Sequence, residues 1–226
     1  MNIIRIHCSD EAVEVRSPDL FGLMAEVERF SIEVPSEVAN VLRAGAPVFV
    51  GVSGGRDSQA LAYRVCAHLD DVGHQGRRFL IHADLGRVEW RDSLPVCERL
   101  AQRLGVELVV VRRNAGDMMD RWLSRWAANV ARYANLECVK LILPWSTAAQ
   151  RFCTAELKSQ VIAREMRRRF PEGDVVSAVG VRREESAKRA RMPAWKQDER
   201  TTRKRGAGHA WNPLLGWRRG DVNDYV

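Results

Sequence analysis

Short apolar runs alternate along the chain with longer stretches in which apolar residues recur at helical spacing. The runs are rich in β-branched residues and bounded by glycine, proline or charge, which is typical of buried parallel strands. The predicted strands are residues 47–52, 79–83, 107–111 and 174–179, and the predicted helices are residues 57–69, 90–104 and 154–169. The first three strands start about thirty residues apart, the length of one βαβ unit. The pattern predicts an α/β fold in which helices cover both faces of a parallel sheet with right-handed crossovers.

Both ends of the chain lie outside this series. Residues 17–30 predict an N-terminal helix, with Ser17 as its N-cap and Pro18 at its first position. Near the other end, glycines and a proline predict a loop, and Asp221 resembles the cap of a further helix. Because only one turn follows Asp221, we expect either a short terminal helix or a sequence cut from a longer chain. The predicted organisation is a helical segment, an α/β domain and a basic arm, at residues 1–46, 47–181 and 182–226.

The first predicted strand leads directly into a glycine-rich turn and an amphipathic helix. Gly54 and Gly55 allow the backbone to approach a ligand closely, so that successive N–H groups point into one concavity. The N-terminus of the following helix adds partial positive charge. This order predicts a loop that binds phosphates, and the alternative is a βα turn without a ligand.

Polar side chains surround these glycines in the sequence SGGRDS of residues 53–58. Ser53 and Ser58 can donate hydroxyl hydrogen bonds to phosphate, and Arg56 can pair with phosphate oxygens. Asp57 can cap the helix or bind magnesium. The sequence contains neither GxxxxGK[ST] nor GxGxxG, which argues against a P-loop NTPase and a dinucleotide-dependent dehydrogenase.

At these residues the chain resembles a known group, because SGGxDS after the first strand is the signature of the PP-loop ATP pyrophosphatases. Further segments are similar to the phosphoadenosine phosphosulfate (PAPS) reductase-like branch of that group. They are HADLG at 82–86, CTAELK at 153–158, GVRREES at 180–186 with Arg189, and NPLLGW at 212–217. These segments occur in the same order as in the family over residues 47–226, and this shared order makes the resemblance specific. The resemblance implies a Rossmann-like fold of the adenine nucleotide alpha hydrolase-like type, and the arrangement is most similar to the ATPases of DNA phosphorothioation.

Two residues of HADLG lie where the second predicted strand ends, at the edge where open α/β sheets place their ligand crevice. His82 and Asp84 are therefore candidate nucleotide-binding residues. The resemblance implies that Asp84 faces the ribose or magnesium. The alternative for Asp84 is a helix-capping role ahead of Glu89 and Trp90.

The resemblance also implies that Lys158, Arg182 and Arg189 bind phosphate, with Glu185 and Ser186 orienting the arginines. Lys158 lies one turn into the last predicted helix, and Arg182 follows the last predicted strand. From charge alone, all three basic residues would be solvated surface side chains.

The five cysteines and five histidines form no CxxC or HExxH pair, so the sequence indicates neither a disulfide framework nor a zinc site. In relatives, a cysteine near the position of Cys153 ligates an iron–sulfur cluster. The adjacent cysteines that a cluster requires are missing here. A cluster is therefore compatible only with residues outside this chain, and Cys138 is the one plausible partner within it. The alternative for Cys153 is a small buried residue at a helix start.

The net charge is +7, and most of it lies in residues 182–205. That segment holds ten arginines or lysines against four acidic residues, whereas the rest of the chain has 26 basic and 25 acidic residues. Trp195 lies inside it, and Trp211 and Trp217 follow it. We expect contact with DNA or RNA through this segment, and the alternative is a mobile loop that keeps the protein soluble.

No apolar run approaches the ~20 residues that span a bilayer, and the N-terminus lacks the apolar region of a signal peptide. With 46% hydrophobic and 29% charged residues, the composition is that of a globular protein. We therefore expect a cytoplasmic protein without membrane contact.

These features predict an enzyme that binds ATP with magnesium, reacts at the α-phosphate, releases pyrophosphate and activates an acceptor as an adenylate. Loop amides, Arg56 and a magnesium ion at Asp57 would stabilise the departing pyrophosphate, while Lys158 and Arg182 would neutralise charge at the α-phosphate. The resemblance to phosphorothioation ATPases implies sulfur insertion into nucleic acid, with sulfur supplied by a donor protein.

Three alternatives remain open. A PAPS reductase would use PAPS and a thiol donor, but such enzymes usually carry a degenerate loop and a C-terminal ECG-type cysteine that is absent here. A nucleotide- or nucleic-acid-binding module without turnover is the second, because Arg56 replaces the common lysine and cannot reproduce a compact ammonium. A flavin-nucleotide adenylyltransferase is the third.

Overall fold

The computed structural model describes the backbone of residues 3–6 and 13–16 and the whole of residues 29–145 and 152–226. Its strands are β1 (Ile3–Ile6), β2 (Val13–Arg16), β3 (Val48–Val52), β4 (Arg78–Ala83), β5 (Glu107–Val111), β6 (Val175–Ala178), β7 (Trp195–Gln197) and β8 (Gly208–Trp211). Its helices are α1 (Ser36–Arg43), α2 (Arg56–Asp71), α3 (Ser93–Leu104), α4 (Met118–Ala134), α5 (Gln160–Arg169), α6 (Ala187–Ala190) and α7 (Arg219–Tyr225). Short 3-10 turns occupy Gly86–Val88 and Arg183–Glu185, and an α turn (Phe152–Thr154) and a π-helical turn (Ala155–Ser159) lead into α5.

Of the described strands, six form one sheet in the order β5–β4–β3–β6–β8–β7, and β1 pairs with β2 separately. Neighbouring strands of the larger sheet are parallel except for β7 and β8. The predicted parallel α/β fold is therefore confirmed, with one antiparallel strand at its edge. The chain proceeds outward from β3 to β5 and then returns to β6 on the other side of β3. The strand order thus reverses between β3 and β6, where open α/β sheets form a crevice at the carboxyl ends of their strands.

Alternate residues of β3 reach the cores on the two faces of the sheet. Val48, Val50 and Val52 belong to a core that includes side chains of α1, α2 and α3. Phe49 belongs to a second core that includes side chains of α5, where its ring stacks on Phe79 with centroids 4.7 Å apart. Helices therefore cover both faces of the sheet, as predicted.

The four predicted strands coincide with β3, β4, β5 and β6 to within one residue at each end. Strands β7 and β8 have no counterpart among the predictions. The four residues of β8 are nonetheless all buried. Trp211 at its end is fully buried, and its indole Nε1 donates a hydrogen bond to the Glu33 carbonyl at 2.7 Å.

The C-terminal segments are more ordered than the sequence suggested. Residues 182–205 contain a 3-10 turn, α6 and β7, so the segment includes short regular elements. Helix α7 begins at Arg219, with Arg218 as its N-cap, whereas Asp221 was predicted to be the cap. The Asp221 carboxylate accepts a hydrogen bond from the Arg218 N–H at 2.7 Å, so it stabilises the first turn from inside the helix. The helix predicted at residues 17–30 lies outside the described residues except for its last two positions.

Helix α4 also has no counterpart among the predicted helices, although a capping box of Asp117 and Asp120 starts it. Within α4 only Met118 and Asn129 are buried, so its apolar residues do not define a face toward the core. The larger apolar side chains left exposed on it are Leu123, Trp126, Val130 and Tyr133.

In the parts of the chain that the structure describes, no helix combines the length and the apolar character that crossing a membrane requires.

Burial separates the cysteines of the described residues into two classes. Cys66 and Cys97 are buried, and burial raises the pKa of each thiol to about 11. At about pH 8 only about one thiol in a thousand would then be the reactive thiolate.

We expect iodoacetamide to label half-buried Cys138 and Cys153 in the native protein, and Cys66 and Cys97 only after unfolding. Mass spectrometry of labelled native and urea-treated protein measures this, and native labelling of Cys97 as fast as Cys138 would contradict it.

Candidate nucleotide-binding site

The turn between β3 and α2 is held in shape by the close approach of Gly54 to α3. Gly54 has a positive φ of 77°, and a Cβ built there would lie 2.8 Å from the Ser93 Cα and 2.9 Å from the Ser93 carbonyl oxygen. No side chain fits in that space. Gly54 therefore seats the loop directly on the first residue of α3.

Gly55 faces open space, unlike Gly54. Its φ of −76° suits any residue, and a Cβ there would meet only the Ser53 Oγ, at 3.8 Å. The backbone N–H groups of Gly55, Arg56 and Asp57 have no hydrogen-bond acceptor among the described residues. These groups also stand at the positive end of α2. The loop therefore offers an anion several unpaired donors in front of Gly55, as predicted.

The two serines of the loop differ in what they can offer a ligand. The Ser58 hydroxyl donates to the Gly55 carbonyl at 2.8 Å and accepts from the Ser53 N–H at 3.1 Å. Its only proton is therefore used inside the loop, so Ser58 shapes the turn, whereas the sequence suggested that it donates to phosphate. Ser53 is exposed at the rim, where its hydroxyl can reach a ligand.

His82 supports the loop from beneath and does not line the cavity. Its imidazole is 1% exposed, and its Nδ1 lies 3.0 Å from the Val52 carbonyl oxygen and 3.8 Å from the Cys97 Sγ. Its Nε2 lies 3.5 Å from the Glu89 carboxylate. His82 therefore lies outside the cavity, in the space between the end of β3 and α3.

Asp84 is likewise occupied by local contacts. Its Oδ1 accepts from the Gly86 N–H at 2.7 Å, and its Oδ2 accepts from the Arg112 Nε at 2.7 Å. Asp84 therefore stabilises the start of the Gly86–Val88 turn, a role similar to the helix-capping alternative. Two cavities lie beside the loop, and Asp84 lines neither of them.

The larger of these cavities has a volume of about 370 Å³ and lies between α5 and the carboxyl ends of β3, β4 and β6. Its inner wall is apolar, and its rim is polar or charged. The apolar wall includes Ile81, Ala83, Ile162, Ala163 and Met166, and the rim includes Ser53, Asp57, Lys158, Glu185 and Arg189. An apolar wall with a few convergent polar groups is the usual character of a small-molecule site.

Two of the cations that line this cavity are held differently. Lys158 lies in the π-helical turn, and no described residue forms an ion pair or hydrogen bond with its ammonium group. Arg189 forms an ion pair with Glu185, the residue predicted to orient it. The hydroxyl of Ser186, the other predicted orienting residue, instead caps α6 by accepting from the Arg189 N–H at 3.3 Å.

Arg56 and Arg182 face a second, smaller cavity of about 300 Å³, which Asp57 also lines. Arg182 is 7% exposed, and its Nε donates to the Asp57 Oδ1 at 2.6 Å. The Arg56 guanidinium donates to the Asn223 amide oxygen at 3.1 Å. The phosphate ligands predicted from sequence therefore divide between two neighbouring cavities.

Sequence reasoning missed several lining residues because they lie outside the loop and outside the segments that resemble the family. The larger cavity also receives Asp198, Arg200 and Thr201 from the basic arm, and the smaller one receives Arg219 and Asn223 from α7.

The metal candidates do not form a ligand set in the described residues, among which no group of three or more His, Cys, Asp or Glu side chains could hold an ion. Asp57 makes no helix cap, and its carboxylate is engaged by Arg182. It therefore does not provide a magnesium site by itself. Cys153 is half-buried, with its Sγ 3.8 Å from the Thr154 Oγ1, and no cysteine cluster surrounds it in this part of the chain.

Much of the charge in segment 182–205 is paired within the protein. Ion pairs hold Arg182, Arg183, Arg189, Arg200 and Arg205, and Arg203 donates to the carbonyl groups of Thr201 and Gly173. The exposed cations of this segment without a partner among the described residues are Lys188, Arg191, Lys196 and Lys204.

Two known proteins that are similar to this chain act on tRNA by name. The tRNA(Ile)-lysidine synthase of Ralstonia nicotianae is 28% identical over an alignment of 232 residues, gaps included. That alignment covers 89% of this chain and 47% of that protein. The U34-tRNA thiolase NcsA from Methanococcus maripaludis, solved with its 4Fe-4S cluster, superposes with a TM-score of 0.50 at 14% identity. That match covers 89% of this chain and 61% of the thiolase, and it supports the fold alone. The chain therefore spans about half the length of the curated relative.

Residues 47–226 match the family described as the phosphoadenosine phosphosulfate reductase domain. The match covers β3 to α7 and includes the loop and both cavities. The chain therefore belongs to the phosphoadenosine phosphosulfate reductase domain family, within the PP-loop group of nucleotide-binding proteins.

Proposed function

We propose that this protein binds ATP in the larger cavity and catalyses a reaction at the α-phosphate that releases pyrophosphate and adenylates an acceptor. The observation that carries this proposal is the open space in front of Gly55. The unpaired N–H groups of Gly55, Arg56 and Asp57 border it, and an apolar cavity adjoins it.

The cavity has an apolar wall and a charged rim, which suit the base and the phosphates of an adenosine nucleotide respectively. The wall formed by Ile81, Ile162 and Met166 offers contacts to an apolar, flat base, while the loop lies at the charged rim. Phosphates at the loop would receive hydrogen bonds from backbone donors that are already oriented. Lys158 and Arg189 would add positive charge from the side of α5 and α6.

The chemistry asks little of the side chains beyond electrostatic stabilisation. A nucleophile of the acceptor attacks the α-phosphorus, the bond to the bridging oxygen breaks, and its electron pair leaves with pyrophosphate. Loop N–H groups would stabilise the negative charge that develops on this leaving group, and Lys158 would neutralise charge at the α-phosphate. Such fixed donors are worth more in a site shielded from water than in solution.

We further propose that the acceptor is a nucleic acid and that the adenylate prepares it for substitution, with sulfur insertion by a donor protein as the leading case. The unpartnered cations of the basic arm and the tRNA named for the similar lysidine synthase support this. Both DNA and RNA are compatible with contacts to phosphates.

A sulfonucleotide reductase acting on PAPS is the second candidate, because the matching family is described by that activity. The complete loop favours ATP chemistry. None of the cysteines in the described part of the chain lines either cavity, so these residues provide no thiol for a reductase mechanism.

The two loop glycines allow nucleotide binding to be separated from folding. We expect Gly55→Val to fold normally and lose ATP affinity at least about tenfold, because its side chain fills the phosphate position and blocks charge-assisted hydrogen bonds. We expect Gly54→Ala to lower the free energy of unfolding by about 1–3 kcal/mol through its contact with Ser93. Gly73→Ala is the control, since φ is also positive there but the space is open. Calorimetry and thermal unfolding measure both effects, and unchanged ATP affinity in Gly55→Val would remove the proposed site.

Product analysis tests the reaction. With ATP labelled at the α- or γ-phosphate and tRNA or DNA as acceptor, we expect labelled pyrophosphate and a labelled adenylate, both strongly reduced in Lys158→Gln. ADP and orthophosphate as the only products would show that the reaction occurs at the γ-phosphate. Turnover of PAPS with a thiol donor, and none of ATP, would favour the reductase.

The basic arm should bind nucleic acid mainly through its unpartnered cations. We expect the triple variant Lys188→Gln, Arg191→Gln and Lys204→Gln to weaken binding across sequences and to flatten the logarithmic salt dependence. The expected change in slope is about 0.9 per lost contact on duplex DNA and about 0.7 on single strands. The matched control removes three exposed arginines outside the arm, Arg43, Arg99 and Arg103. Equal losses in both variants, or no binding at low salt, would leave the arm without this role.

A further inference from the structure

The smaller cavity beside the loop is a separate structural feature with its own chemistry. Three segments that are distant in sequence build it, namely the first turn of α2, the residues that follow β6, and the first turn of α7. The cavity has a volume of about 300 Å³, and its lining residues are Arg56, Asp57, Arg182, Arg219, Val222 and Asn223.

Positive charge is in excess around this cavity. Arg182 pairs with Asp57 and Glu184. Arg56 contacts only the neutral amide of Asn223, and the Arg219 guanidinium has no partner in the described part of the chain. Three arginines therefore face two carboxylates, and the two arginines without an acidic partner converge on the same space.

Packing on the core holds helix α7, which carries Arg219, in place. Val222 is buried beneath the first turn of α7. The ring of Tyr225 lies 5.1 Å from the rings of Phe30 and Trp217, and the Asp221 carboxylate pairs with Arg29 at 2.9 Å. The backbone that carries Arg219 is thus held against the core, while the Arg219 side chain is exposed.

We propose that this cavity binds a phosphate group of a second substrate, distinct from the nucleotide in the larger cavity. Guanidinium groups present a planar fork of donors that matches phosphate oxygens, and they carry no acceptor that would repel them. The amide N–H groups of Asn223 add donors, because its oxygen is occupied by Arg56. A volume of about 300 Å³ lies at the lower end of ligand sites, which suits a phosphate with part of its ester.

The location of the cavity connects this phosphate to the reaction. Asp57 lines both cavities, so a molecule held by its phosphate in the smaller one has its remaining atoms near the nucleotide. This last step rests on the proposed function, whereas the phosphate site itself does not. The phosphate could belong to a nucleic acid or to a small phosphorylated molecule.

The test uses the full chain and inorganic phosphate as the probe. Calorimetric titration of phosphate, with the larger cavity saturated by α,β-methylene ATP, should show binding that Arg219→Gln weakens roughly tenfold to a hundredfold. Arg218→Gln is the matched control, because Arg218 is adjacent and exposed but does not line the cavity. Affinity for the ATP analogue should be the same in both variants.

Two results would overturn the proposal. If the ATP analogue displaces phosphate, the cavity serves the phosphates of the nucleotide itself. If Arg218→Gln weakens phosphate binding as much as Arg219→Gln, only general surface charge is involved. Phosphate binding that depends on Arg219 in a protein that binds no ATP would sustain this site while removing the proposed function. Competition by tRNA or DNA, compared with small phosphate esters, then identifies the source of the phosphate.

Discussion

The ion pair between Asp57 and Arg182 is the interaction on which the arrangement of the site depends. It joins the first turn of α2 to the residues that follow β6, across the point where the strand order reverses. The Arg182 side chain is 8% exposed and the Asp57 side chain 39% exposed. Removing Asp57 would leave the buried Arg182 guanidinium with only part of its compensating charge, because Glu184 also contacts Arg182. The pair fixes the boundary between the two cavities and leaves Asp57 unsuited to hold a metal alone.

The elements that the sequence predicts are those whose environment repeats along the chain. Strands β3 and β4 are buried along nearly their whole length, so each is a continuous apolar run that can be recognised in isolation. Strand β8 is equally buried, but its burial comes from β6 and the Glu33 carbonyl, which are distant in sequence. Helix α4 is a different case. Its apolar residues Leu123, Trp126, Val130 and Tyr133 recur at helical spacing but remain exposed, so the pattern was available in the sequence and was missed.

Among the site residues, the backbone features could be predicted from sequence and the side-chain roles mostly could not. Backbone features of the loop follow from glycine and from the order of strand, turn and helix, and both glycines do what that order requires. Side-chain roles follow less well, since a motif places a residue near the site without saying where its polar atoms point. Ser58 lies in the loop and His82 lies beside it, but the hydrogen bonds of both are made within the protein. Only the complete set of hydrogen bonds shows that the Ser58 proton is already used.

The π-helical turn that carries Lys158 is the least regular part of the cavity wall. Such turns are rare and occur often at functional sites, because they rotate side chains away from the positions that an α-helix would give. Helix α4 contacts this π-helical turn through the side chain of Arg121. The Arg121 guanidinium forms two hydrogen bonds with the Glu156 carboxylate, at 2.8 and 3.1 Å, and its Cζ lies 4.8 Å from the centroid of the Phe152 ring. The exposed helix that contributes little to the core thus helps to set the position of the cation at the rim, which gives α4 a physical connection to the site that its sequence does not indicate.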